Sequence, residues 1–204
     1  GPAVTQLMIG QQPASYDDGY QVYQGDRPDF FSDVRMRQAL ALCLNREGVI
    51  HNVLYDMTGI PQSYVPTDHP LYAPVDSAIT AQDTEAGKAL LEAVGWTAGE
   101  DGKRFSRGVA GVPDGTELRL SLAVPQAELY HWMLEGYLAP SLADCGFAVD
   151  WQETTMLDLY APGPEGLVFG RQFDLALITW FTGNDPACSL YLSDQIPAAG
   201  NYWV

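Results

Sequence analysis

The residues best equipped for chemistry stand close together near the C-terminus, where FDLALITWFTGNDP (173–186) climbs through an apolar run and then breaks. Trp180 and Phe181 bring two large rings to the end of that run. Thr182, Asn184 and Asp185 follow with a hydroxyl, an amide and a carboxylate. Rings supply apolar contact area, and the three polar groups supply hydrogen bonds and one negative charge, which is the equipment of a small-molecule binding surface. The same residues also suit a core strand followed by an ordinary turn. As core filler Trp180 would pack against Trp151 or Phe147; as a wall it would offer a face to a ligand side chain or a sugar ring. Ligands of open α/β sheets gather at the carboxyl ends of strands, which gives the second reading its weight.

Other reactive side chains are scattered. His51, His69 and His131 are far apart in sequence, and no GxSxG, HExxH, CxxC or P-loop pattern is present. His69, between Asp68 and Pro70, reads as a solvent-facing loop histidine, while His51 and His131 fall on helices. An acid-based hydrolase would need a specific pair of carboxylates, and in so acidic a chain no pair stands out. The chain is therefore expected not to be an enzyme and to need no cofactor. Asp17 and Asp18 precede a glycine without the alternating ligands of a calcium loop, so no metal site is expected. Cys43, Cys145 and Cys188 are odd in number. Cys43 lies in an apolar helical run and reads as buried packing; a disulfide framework is not expected, although sequence separation leaves a single bridge open.

Composition narrows the partners. Acidic residues outnumber basic ones 26 to 10, for a formal charge of −16. Such a surface repels phosphate backbones and anionic lipid, which argues against nucleic acid and membrane surfaces. Nearly half of the 204 residues are apolar (47%), enough for a substantial core, and no run approaches the ~18 apolar residues of a membrane span. The start, GPAVTQLMIG, has neither the basic n-region nor the long apolar stretch of a signal peptide; with Gly1-Pro2 read as a cloning scar, this says nothing of compartment.

The elements that must position residues 180–185 can be read from periodicity and capping. Val4–Ile9 suits a short strand, and turns are expected at 16–20 and 25–28. Asp33 caps a helix with Val34, Leu40, Ala41 and Leu44 inward; Asn45 caps a second, running to Met57, with Val49, Ile50, Val53 and Leu54 inward. Residues 60–82, with Pro61, Pro66, Pro70 and Pro74, form a long loop. Asp83 opens a helix striped by Ala86, Leu90 and Val94 and closed by Gly95, and 100–103 is a tight turn. Leu118, Leu120 and Leu122 alternate with Glu117, Arg119 and Ser121 in a half-buried strand. A helix over 126–143 carries Leu129, Trp132, Met133 and Leu142 as apolar bulk, and Pro140 should kink or end it. Phe147, Val149 and Trp151 mark another strand, 155–160 a short helix, 162–166 a turn, and 173–180 a central strand covered on both faces. The fold class is α/β: a single layered domain with a mixed sheet flanked by helices.

Five blocks in this order, DVRMRQALALCLNREGVI, AGKALLEAVGW, GTELRLSL, CGFAVDW and FDLALITW…NDP, resemble the peptide, nickel and oligosaccharide-binding class of solute receptors of bacterial ABC importers, the extracellular solute-binding proteins of family 5. The resemblance covers roughly residues 22–203. It implies one lobe of a two-lobed periplasmic-binding-protein fold: residues 1–30 as an irregular lead-in from the other lobe, and 31–204 as the C-terminal lobe, an excised fragment. It implies capture of a small solute between two lobes, an oligopeptide first, with an oligosaccharide or metal chelate as alternatives. Handing over to ABC permease subunits would follow, at the periplasmic or outer face of the membrane, with a lipid anchor or secretion in the parent. Peptide-binding members place an aspartate just beyond the tryptophan strand to pair with the α-ammonium. Here Asn184 stands where that acid is expected, and Asp185 matches the family's Asp-Pro pair, serving either as turn former or as ammonium partner. The ligand-facing set is Trp180, Phe181, Thr182, Asn184 and Asp185. A third reading, a protein-interaction module, would use exposed aromatics such as Tyr191 and Trp203.

Overall fold

A computed structural model describes residues 3–10, 30–75, 79–126, 131–163, 166–170, 172–181, 189 and 192–195. The turns expected at 16–20 and 25–28, together with Asp17, Asp18, Leu129, Cys188, Tyr191 and Trp203, lie outside the described residues. The chain divides into two compact units, one of residues 1–32, 121–126 and 151–204, the other of 33–120 and 127–150.

The second unit is mainly helical. Helix α1 (Val34–Cys43) starts where the Asp33 carboxylate accepts the Arg35 amide at 2.8 Å. Its buried face is Met36, Ala39, Leu40 and Cys43, whereas Val34 is 51% exposed and Ala41 half-buried. The expected stripe is thus partly wrong, because Cys43 is covalently tied to Cys145 and that tie sets the rotation of the helix. Helix α2 (Arg46–Asn52) is capped by the Asn45 side chain, which accepts from Gly48 N at 2.8 Å. It stops short of Met57 because Tyr55 and Asp56 adopt φ of 50° and 56°, a left-handed conformation that no right-handed helix can contain. Residues 60–75 carry no regular element, as expected of a proline-rich loop.

Helix α3 (Thr84–Val94) begins at the Asp83 cap and ends at Gly95, whose φ of 116° only glycine adopts without cost. Its buried positions are Gly87 and Leu91, one residue on from the expected Ala86, Leu90 and Val94, which are half-buried. A glycine makes the closest approach, and a hydrophobicity pattern cannot register a residue without a side chain. Strands β2 (Trp96–Ala98) and β3 (Arg104–Ser106) form an antiparallel hairpin around the expected 100–103 turn and fully bury Trp96. The turn is legible in the sequence; the hairpin, with strands of three residues, is not.

Strand β4 (Arg119–Pro125) shows the expected alternation, with Leu118, Leu120 and Leu122 buried and Arg119 exposed. Helix α4 (His131–Cys145) runs through Pro140 without ending there. Its inward face is Leu134, Leu138, Leu142 and Cys145; Trp132 is 64% exposed and not core bulk.

The first unit is built on the sheet. Strands β1 (Ala3–Ile9), β5 (Ala148–Thr154) and β6 (Leu175–Phe181) join β4 in the order β1-β6-β4-β5. β6 is therefore interior, which is why its first four residues are buried whichever face they point to. β1 pairs with it antiparallel and β4 parallel, so the sheet is mixed. The core holds Ala123, Leu159, Val168, Phe173, Ala176 and Ile178, to which the short helix α5 (Met156–Leu159), capped by Thr155, contributes Leu159.

Candidate ligand site at the end of the central strand

Side chains of a strand alternate between its faces, and β6 uses both. Ala176, Ile178 and Trp180 point to one side, where Ala176 and Ile178 join Leu159, Val168 and Phe173 in the core. The Trp180 ring rests against that cluster, half-buried, with Met8, Tyr160, Leu167 and Phe169 around the same core. Trp151 and Phe147, the partners expected for a core-filling Trp180, are not among the members of this cluster. Leu175, Leu177, Thr179 and Phe181 point to the other side. Leu175 and Leu177 are buried, Thr179 is exposed, and Phe181 is 71% exposed. The strand thus emerges from its cover at Thr179, and the two rings leave it on opposite faces.

The edge of β1 fixes this end of the strand. Val4 is paired with Trp180 and Thr5 with Thr179, and the two threonine hydroxyls lie 3.2 Å apart. At the other end, Asp174 is 4% exposed. One of its carboxylate oxygens accepts the Ser121 amide at 2.7 Å and the Ser121 hydroxyl at 3.0 Å, while its backbone carbonyl accepts Gly10 N at 2.8 Å. One residue thereby holds β1, β4 and β6 in register, which determines where Trp180 emerges. Reading 173–180 as uniformly apolar passes over this acid; its place at the head of a buried run is the signal that could have found it.

Of the five expected ligand-facing residues, the structure describes Trp180 and Phe181. Thr182, Asn184 and Asp185 lie outside the described residues. Among the described residues no three His, Cys, Asp or Glu side chains are grouped to hold a metal ion, and no helix is long and apolar enough to cross a membrane. His51 is exposed and its Nδ1 lies 2.9 Å from Asp56, while His69 is half-buried with its Nδ1 accepting the Leu71 amide. Resolved titration shifts occur elsewhere. A hydrogen bond from Arg35 holds the Asp33 carboxyl below its ordinary value, and Glu117 and Asp150 raise Arg119.

The sequence matches the family model of bacterial extracellular solute-binding proteins, family 5 (middle region), over residues 6–199, and the chain belongs to that family. No curated protein matches it in sequence. Solved structures share its fold. An oligopeptide-binding protein from Thermus thermophilus, complexed with a pentapeptide, superimposes with a TM-score of 0.67 at 21% identity, covering 76% of this chain and 25% of its own. AppA from Bacillus subtilis, an oligopeptide-binding protein in complex with a nonapeptide, gives 0.69 at 19% identity, covering 99% and 37%. NikZ from Campylobacter jejuni, in complex with Ni(L-His), gives 0.63 at 17% identity, covering 90% and 31%. The chain therefore spans between a quarter and two fifths of the length of these proteins.

Proposed function

We propose that the chain is the C-terminal lobe, over residues 31–204, of a receptor that captures a small solute between two lobes and delivers it to the permease of an ABC importer. Membership of the family over residues 6–199 carries this reading. The half-buried Trp180, at the carboxyl end of an interior strand, is where such a fold offers a ligand surface. An oligopeptide is the favoured solute, because two of the similar structures hold peptides; the Ni(L-His) complex of a third keeps metal chelates as the alternative class. Trp180 would supply an apolar wall, and Thr182, Asn184 and Asp185 would supply polar contacts beyond it. Asp185 is the candidate partner for a peptide ammonium. The receptor would work at the outer face of the cytoplasmic membrane, lipid-anchored or secreted.

Isothermal titration of the two-lobed receptor with oligopeptides of three to nine residues is the direct test. Saturable heat with peptides, reduced at least tenfold in affinity by D185N, supports the reading. Saturable heat with nickel–histidine and none with peptides would move the solute class. No heat with either would remove the capture proposal.

A further inference from the structure

The Cys43–Cys145 disulfide joins the last residue of α1 to the last residue of α4 across 102 positions of sequence. Both cysteines are fully buried, at 0% and 1% exposure. The third helix of the layer closes over the bond. A Cβ added at Gly87 of α3 would fall 2.5 Å from Cys43 Sγ and 3.5 Å from Cys145 Sγ, so the glycine backbone fills the space where any side chain would collide with sulfur. On the far side, the Cys145 carbonyl is held by the buried Arg104 at 2.7 Å. The bond thus lies at the meeting point of α1, α3 and α4, with no face open to solvent.

We propose that this disulfide is a buried lock on the helical unit, set once during folding and shielded from thiol exchange in the folded protein. Its formation is an exchange with a disulfide oxidant, in which the two protein thiols are oxidised and the oxidant's disulfide is reduced to two thiols. Reversal requires an external thiolate to attack one sulfur and expel the other as thiolate; a second thiol then displaces the protein from the mixed disulfide. That attack needs a line of approach to sulfur, and helix α3 occupies it. The helical unit therefore takes its native packing in a compartment that makes disulfides, and afterwards no longer depends on the ambient redox poise. The inference does not depend on which solute is bound.

The protein is incubated with dithiothreitol, with denaturant, or with both, alkylated, and analysed by mass spectrometry of the Cys43 and Cys145 peptides. Alkylation of both only when denaturant and dithiothreitol are present together supports the lock. Alkylation of both in denaturant without dithiothreitol shows that no bond forms and overturns it. Rapid alkylation with dithiothreitol alone overturns the shielding. A double-mutant comparison tests the packing. C43A/C145A lowers the unfolding midpoint by about 10 °C. G87A lowers it markedly in the bridged protein and much less in C43A/C145A, where the sulfur it would strike is gone. Equal effects of G87A in both backgrounds overturn the close seating of α3 on the bond.

Discussion

Arg104 Nε donates to the carbonyl of Cys145 at 2.7 Å, and Nη1 of the same guanidinium donates to the carbonyl of Trp96 at 2.7 Å. One buried cation thus closes the end of α4 and the chain just past α3. The pattern repeats. Arg35 Nη1 donates to Ala93 O in the last turn of α3, and Arg46 Nη2 to Ala41 O in the last turn of α1. None of these three helices carries a basic residue in its own last turn. The negative helix ends and their orphan carbonyls are answered from elsewhere in the chain. At Arg104 a planar fork reaches two carbonyls at once where an ammonium is a point charge, which gives a physical reason for arginine over lysine there. Replacing Arg104 by Met should lower the unfolding free energy by about 3 kcal/mol, because two bonds to a charged donor are lost in the interior. R104K should recover less than half of the loss. Urea unfolding of the three proteins measures both.

The Asp33 cap should make stability depend on acid. The hydrogen bond from Arg35 lowers the folded-state value of Asp33 from 3.8. A carboxylate depressed on folding contributes stability that is fully present above its unfolded value and is lost as pH falls through the folded one. The contribution therefore fades below about pH 4 in the wild type. D33N caps the helix as well but does not titrate, so its stability curve should be flatter between pH 4 and 2. D33A should lose about 1 kcal/mol at pH 7. Thermal unfolding across this pH range distinguishes the three.

What the sequence made legible was whatever its local chemistry determines. Asp33, Asn45 and Asp83 are helix caps because each carboxylate or amide meets an amide two or three residues on. Leu118, Leu120 and Leu122 alternate because the strand does, and the uninterrupted apolar run of β6 reflects an interior strand. Features set by distant partners were not legible. The inward face of α1 follows the Cys43–Cys145 bond, and that of α3 follows a glycine seated on it. At the candidate site, the clustering of rings was visible in sequence. Their separation onto opposite faces required only the period of two, applied to consecutive residues.

Asp174 sets the register of the sheet, and its removal should be costly far from any ligand. D174A leaves the Ser121 amide without its acceptor beside a buried strand, with an expected loss of about 2–3 kcal/mol. S121A keeps that amide bond and loses the two bonds of the hydroxyl, the one it donates to the Asp174 carboxylate and the one it accepts from the Asp174 amide, for about 1–2 kcal/mol. Chemical denaturation ranks the two. Equal losses would mean that the hydroxyl, and not the backbone amide, carries the clamp.

The opposite faces of Trp180 and Phe181 predict opposite phenotypes. Trp180 rests on the Leu159–Val168–Phe173 cluster, so W180A should cost about 2–3 kcal/mol through lost packing. Phe181 is 71% exposed, so F181A should change stability by no more than about 0.5 kcal/mol. If the end of β6 serves as a ligand wall through its Trp180 face, W180F should keep most of the packing yet weaken solute binding by the two-lobed receptor, because a smaller ring presents less area. F181A should then leave affinity unchanged. Unfolding curves and titration calorimetry on the same three variants separate the structural from the ligand-facing role of each ring. Tight binding by W180F together with a tenfold loss in F181A would transfer the wall to the other face of the sheet.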